Sequence, residues 1–208
     1  RLLRVHGQGP VARRLAAQLA SAGRVVQRMD RSDWVGIEAD GAQLRLTDGR
    51  PASLIASEGP RNLAVFDWPL SADTGTALAW APAVQCSAAW AQTAPLWLRA
   101  LGFNPQRVAD VPGLVVARTV ATLVNEAAEA VREGVCSAEA TDLALVLGAG
   151  APAGPFAWLS HWGAAAVLAV LAALDDADRG GRHRASALLR ERAWTDVPVV
   201  RPLSVLPS

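Results

Sequence analysis

The chain contains no lysine: all 20 of its cationic side chains are arginine, set singly or in short pairs against 19 acidic residues for a net charge of +1. No basic face builds up, which argues against a nucleic-acid partner. Cysteine is scarce as well. Cys86 and Cys136 have neither redox nor metal-ligand spacing and read as ordinary small residues. The three histidines, His6, His161 and His183, lie far apart, with no triad or metal pattern, and read as surface or capping residues, so no metal site is expected. Long apolar runs are missing too. The longest, Ala164 to Leu174, is too short to span a bilayer, and no signal pattern with a cleavage site precedes the first strand. The expectation is a cytoplasmic protein with no membrane partner. An initial Met is also lacking: Arg1 stands directly in a strand-like run, which suggests a piece of something longer.

What is present is ample core-forming material. With 208 residues, 51% of them hydrophobic, the chain can bury a substantial core. Two domains are expected, residues 1–107 and 108–208. The opening RLLRVHGQGPVARRLAAQLASAGRVVQRMD reads as strand, glycine turn, helix, strand, with Val11, Leu15 and Leu19 as the helical stripe and Gly23 as its stop. Gly7, Gly9 and Ala12 give G-x-G-x-x-A: a tight turn, a backbone free to approach a pyrophosphate, and a small residue for helix-on-strand packing. Asp30 closes the second strand, where an acidic group accepts from a ribose hydroxyl. Pro10 departs from the pattern by removing one N–H. A complete dinucleotide domain needs further strand–helix units, which the chain lacks, so the turn is expected to be a relic kept for packing.

Residues 34–56 alternate instead, with Asp40-Gly41 and Asp48-Gly49 as turn dipeptides, which predicts an antiparallel meander of short strands. Residues 62–68 and 76–81 read as two more strands, and 87–102 as a helix that Pro95 can kink. Beyond these, Asp110 and Pro112 can open a helix whose stripe of Val116, Val120, Leu123, Val124, Ala127 and Val131 runs to Gly134. Ser137 to Leu147 is a second helix with Ser137 as N-cap, and Trp162 to Leu174 a third. That third helix is apolar almost all round and needs cover on every side, which argues for an interface. Residues 186–193 form a short last helix, followed by an extended, Pro-punctuated tail. Glu126, Glu129 and Glu133 are a charged helix flank, the Arg-rich RGGRHR (179–184) a solvated loop, and the eight tryptophans packing groups.

Several stretches occur together in order: DVPGLVVAR (110–118), NEAAEAV (125–131), EGVCSAEATDLALVLGAG (133–150), GPFAW (154–158) and ASALLRERA (185–193). In this they resemble the C-terminal domain of 3-hydroxyacyl-CoA dehydrogenases, whose pattern is D-x-P-G-F-[IV]-V-N-R followed by N-E-A. The resemblance extends to the glycine fingerprint and Asp30. It implies a shortened Rossmann-like α/β part followed by an all-α dimerisation domain. It also implies an NAD-dependent oxidoreductase of fatty acid metabolism and β-oxidation, converting 3-hydroxyacyl-CoA to 3-oxoacyl-CoA.

The same resemblance places the family's active-site Asn at Ala117. No H-F-F-N-P motif is present, and family spacing puts the catalytic His position at Asp67 and its Glu partner position at Ala79. All three roles are vacant. The chain thus looks like the second, C-terminal unit of a long 3-hydroxyacyl-CoA dehydrogenase, non-catalytic and binding no cofactor itself. Its expected partners are a second copy or the N-terminal catalytic unit of the same chain, and acyl-CoA, with RGGRHR near the CoA phosphates as a further possibility. Two rivals are a non-enzymatic CoA-binding or scaffold protein, and a stand-alone NAD(P)-dependent reductase using Asp67 or His6.

Overall fold

The computed structural model describes residues 2–71 and 73–195, which fall into two compact units, Arg1–Ala117 and Arg118–Ser208. The expected boundary at 107/108 compares with this division at 117/118, since side chains of the first unit hold residues 110–117, as shown below.

The first unit is a seven-stranded sheet with three helices. In chain order its elements are β1 (Leu3–His6), α1 (Gly9–Ser21), β2 (Val26–Met29), β3 (Gly36–Ala39) and β4 (Ala42–Leu46), then α2 (Ala52–Ser57), β5 (Leu63–Phe66), β6 (Ala77–Pro82), α3 (Ala88–Ala100) and β7 (Asn104–Arg107). The strand order is β2-β1-β3-β4-β5-β6-β7. Helix α1 buries the expected stripe of Val11, Leu15 and Leu19, with Ala12 beside it, and β5 is buried at all four positions, as a central strand must be.

The expectation of an antiparallel meander over residues 34–56 is corrected. One hairpin forms, β3–β4, turning at Asp40 and Gly41 with φ of 51° and 76°. After it the chain enters α2 instead of another strand. The reason lies far along the sequence: Asp110 accepts from Ala52 N at 2.6 Å and Ser53 N at 2.8 Å, satisfying the helix start that Pro51 cannot cap. The sheet is mixed: β1–β2, β4–β5 and β6–β7 are parallel, and β1–β3, β3–β4 and β5–β6 antiparallel. Strand β7 was not expected. It tolerates Pro105 because it is an edge. Helix α3 runs through Pro95 and buries Trp90, Ala94 and Leu98.

The long helix α4 (Val116–Arg132) begins four residues after Pro112, because Gly113 and Leu114 take left-handed turns with φ of 69° and 47°. The second unit holds its remainder with α5 (Ala138–Ala149), α6 (Pro155–Trp162), α7 (Ala164–Asp178) and α8 (Ala187–Thr195). Ser137 caps α5 by accepting from Ala140 N, as expected. The third helix, expected over Trp162 to Leu174, is α7 and begins at Ala164, because Trp162 ends α6 and the chain turns by 102° through Gly163. No single helix among the described residues is long and apolar enough to cross a membrane. The tail after Thr195 lies outside the described residues.

Two helix starts here are capped from a distance. Asp142 on α5 accepts from Phe156 N at 2.8 Å and Ala157 N at 3.1 Å at the head of α6. A side chain on Gly154 would collide with that carboxylate. Buried Asn125 on α4 accepts from Ser186 N at 2.8 Å and donates to Arg184 O at 3.0 Å, ahead of α8. Asn125→Ala therefore leaves a buried donor and acceptor unmet, and we expect it to lower stability by about 2–4 kcal/mol. Urea unfolding of the variant checks this; a midpoint equal to that of the parent chain contradicts the role.

Candidate functional site

Asp67 follows directly on the central strand β5 and is fully buried. Its N–H donates to Ala79 O on β6 at 2.9 Å. Its carboxylate accepts four backbone N–H groups: Trp68 at 2.8 Å, Val115 at 2.8 Å, Val116 at 2.6 Å and Ala117 at 2.8 Å. The last three open α4, where N–H groups have no intrahelical partner and a helix end attracts an anion. The protein's own side chain fills that anion position. Burial pushes the Asp67 carboxyl above the usual carboxylate range, against the pull of the N–H donors from Val116, Ala117, Val115 and Trp68.

The three positions that the family resemblance singled out, 67, 79 and 117, thus meet at one point. What they bring is a carboxylate with both oxygens engaged, the Ala79 backbone carbonyl and a fully buried Ala117. A base must reach the proton it removes. Asp67 faces backbone donors instead.

At the other end of the unit, the glycine turn takes the conformation its letters require. Gly7 and Gly9 have φ of 81° and 90°, and Ala12 is buried against the sheet. The surroundings differ from those of a nucleotide site. In a doubly wound sheet the ligand crevice lies outside the carboxyl ends of the strands, where chain connections diverge. Here the neighbour of β1 is antiparallel β3, so the segment leading into it crosses that end. A methyl group on Gly7 would come within 2.6 Å of Trp34 O. Trp34 stacks on His6 at 4.0 Å, and the Arg45 guanidinium lies 4.3 Å from the Trp34 ring.

Asp30 is engaged as well. Arg28, two residues before it on the same side of β2, pairs with its carboxylate at 2.6 Å and donates to Gly7 O and Ala12 O at 3.0 and 2.9 Å. The Gln8 amide donates to Asp30 O at 3.1 Å. Arg28 thus links Gly7 and Ala12 to Asp30, an arginine clamped between turn and acid. Sequence reasoning missed Arg28 and Trp34. The i, i+2 spacing of Arg28 and Asp30 on a strand was the available signal.

In the second unit, Glu129 and Glu133 pair with Arg132 at the surface. His161 packs edge-on against Trp162. Among the described residues no group of three His, Cys, Asp or Glu side chains could hold a metal ion, and both cysteines are free.

Comparison with known proteins agrees with this layout. The 3-hydroxybutyryl-CoA dehydrogenase reduced Rossmann-fold domain matches residues 44–112, and the 3-hydroxyacyl-CoA dehydrogenase C-terminal domain matches residues 113–196. The 3-hydroxyadipyl-CoA dehydrogenase of Escherichia coli (strain K12) is 33% identical over 163 residues, which is 78% of this chain and 33% of that protein. A probable 3-hydroxybutyryl-CoA dehydrogenase of Deinococcus radiodurans is 35% identical over 91 residues, 44% of this chain and 33% of the relative. The crystal structure of an Escherichia coli 3-hydroxybutyryl-CoA dehydrogenase superposes with a TM-score of 0.72 at 30% identity, covering 79% of this chain and 34% of that one. A Ralstonia eutropha (S)-3-hydroxybutyryl-CoA dehydrogenase, with a TM-score of 0.62 and 24% identity over 74% of this chain and 55% of that one, shares the fold. The chain spans about a third of the length of the curated relatives it matches.

Two stability measurements test the site. Asp67→Asn keeps the shape but replaces one acceptor oxygen by an NH2 donor facing N–H groups. It should cost about 2–4 kcal/mol in urea unfolding, and an unchanged midpoint contradicts the capping role. His6 is held below its ordinary value of 6.5, chiefly by burial and then by Arg45 and Arg4, against the opposing pull of Glu38. The unfolded chain therefore takes up this proton first, so its contribution is complete above 6.5 and declines as pH falls through that value. The urea midpoint should drop between about pH 7.5 and about pH 5.5, and drop less in His6→Phe.

Proposed function

Because the chain belongs to the 3-hydroxyacyl-CoA dehydrogenase family, we propose that it serves the oxidation of 3-hydroxyacyl-CoA to 3-oxoacyl-CoA as a non-catalytic part, giving dimer-like packing and acyl-CoA pocket support to a catalytic unit. The observation that carries this reading is the meeting of Asp67, Ala79 and Ala117 with no group free to move a proton. Oxidising an alcohol to a ketone needs a base for the hydroxyl proton while the nicotinamide cofactor accepts hydride. These three positions supply none.

We further infer that the glycine turn does not hold NAD. The residues present do not fit the group: Arg28 occupies the turn's carbonyls and pairs with Asp30, and Trp34 and Val35 lie where a side chain on Gly7 would go. NAD then belongs to the catalytic unit, and the cytoplasm is the compartment in which that unit works.

For the packing role, the surface of α5 is the supporting feature. Leu143 and Leu147 are 59% and 75% exposed, and Val146 lies on the same side of the helix. The sequence pointed to the apolar helix after Trp162, but α7 buries Val167, Val170, Leu171 and Leu174 within its own unit. The uncovered apolar face is on α5, and a second copy or the catalytic unit is the partner proposed for it.

The test is direct. The isolated chain with 3-hydroxybutyryl-CoA and NAD should form no NADH, and titration with NADH should give no saturable fluorescence change. Measurable turnover overturns the non-catalytic reading. Micromolar NADH binding overturns the reading of the turn.

A further inference from the structure

Beside the glycine turn, three side chains from three segments stand in line. Ser32, in the loop after β2, has its Oγ 2.7 Å from Nδ1 of His6 at the end of β1. The other ring nitrogen, Nε2, is buried without a hydrogen-bond partner and lies 3.6 Å from Glu38 Oε2 on β3. Glu38 is itself fixed by donation from Arg4 at 2.8 Å and the Gln43 amide at 2.9 Å. The His6 ring is held flat against Trp34, with ring planes 15° apart. His6 is only 9% exposed along its side chain, whereas Ser32 lines an open depression of about 350 Å³ together with Arg28, Met29, Asp30 and Arg31.

A hydroxyl, an imidazole and a carboxylate in sequence are the parts of an activated nucleophile. The ring runs in the reverse sense to the serine proteases, with Nδ1 toward the hydroxyl and Nε2 toward the carboxylate. For Ser32 to be activated, neutral His6 carries its proton on Nε2, on the side of Glu38, and Nδ1 accepts from Ser32. The 3.6 Å gap to Glu38 is longer than a hydrogen bond, and such contacts in unliganded sites tighten when substrate binds. The arrangement uses no group from the Asp67 junction and does not depend on the dehydrogenase reading.

We propose that Ser32, His6 and Glu38 form a nucleophilic site that hydrolyses small carboxylic esters, with Ser32 as nucleophile, His6 as base and Glu38 as the positioning residue. Ser32 Oγ attacks the ester carbonyl carbon while its proton passes to His6 Nδ1. The bond to the alcohol oxygen breaks, and Nδ1 returns the proton to the leaving alkoxide. Water then adds to the acyl-Ser32 carbonyl, giving a proton to Nδ1. The carboxylic acid departs as Ser32 Oγ recovers that proton. Arg31 in the same depression, unlike Arg28, which is paired with Asp30, favours an acyl portion that carries negative charge.

The probe is a fluorophosphonate, from which Ser32 Oγ would displace fluoride, followed by mass spectrometry of the peptides and by p-nitrophenyl acetate hydrolysis. One label per chain on Ser32 is expected. Ser32→Ala should lose both label and hydrolysis. His6→Phe, which keeps a ring against Trp34, should lower hydrolysis about tenfold or more, and Glu38→Gln should lower kcat several-fold with KM unchanged. Absence of label on the parent chain, label only at another residue, or hydrolysis that survives Ser32→Ala overturns the proposal, and the first two results do not depend on any variant folding.

Discussion

Four backbone N–H groups converge on the carboxylate of Asp67, and three of them belong to consecutive residues at the start of α4. A helix start leaves such donors unmet, and burying them unmet costs about 1–3 kcal/mol each. The chain solves this problem the same way several times. Asp110 serves α2, Asp142 serves α6 and Asn125 serves the segment leading into α8. Each is a polar side chain reaching a helix start from elsewhere in the sequence. The polar letters of the family motifs, read as chemistry, are largely holders of helix ends.

That constraint explains what could and could not be read from the residues alone. Helix α1, the stripe of α4, the Asp40-Gly41 hairpin and the Ser137 cap depend on neighbours within a few positions, and local periodicity and turn chemistry revealed them. Helix α2 depends on Asp110, 58 residues away, and no window over residues 34–56 contains that partner. Alternation around Leu44 predicts the strand that forms as β4, but nothing in that window marks where the strand stops and α2 begins. Strand β7 was hidden for a different reason: its residues are polar and include a proline, and it pairs along one edge only.

The candidate site divides along the same line. Family spacing brought positions 67, 79 and 117 into one argument, and they lie together in the structure. What spacing could not convey is that Asp67 points at a helix start. The glycine turn was legible as a turn, since φ > 0 at Gly7 and Gly9 follows from the residue type. Its occupancy by Arg28 and its cover by Trp34 arise from a long-range pairing, β1 with antiparallel β3, that letters in one turn do not encode.

The shape of the Pro-Gly turn has an energetic basis in this chain. Leu114 adopts a left-handed φ of 47°, which disfavours a non-glycine residue by about 1–2 kcal/mol. In exchange its side chain is buried among Ala52, Ile55, Leu63 and Val65, and burying a leucine contributes about 1.5–3 kcal/mol. The same turn aims Val115, Val116 and Ala117 at Asp67, so the hydrogen bonds are added to a balance already near or above zero. Turn, buried Leu114 and capped helix start therefore support one another. An asparagine side chain in place of Ala117 would have to find room at a fully buried position beside a carboxylate whose two oxygens are already in use. The geometry that keeps this part of the fold together is the geometry that fills the space around position 117.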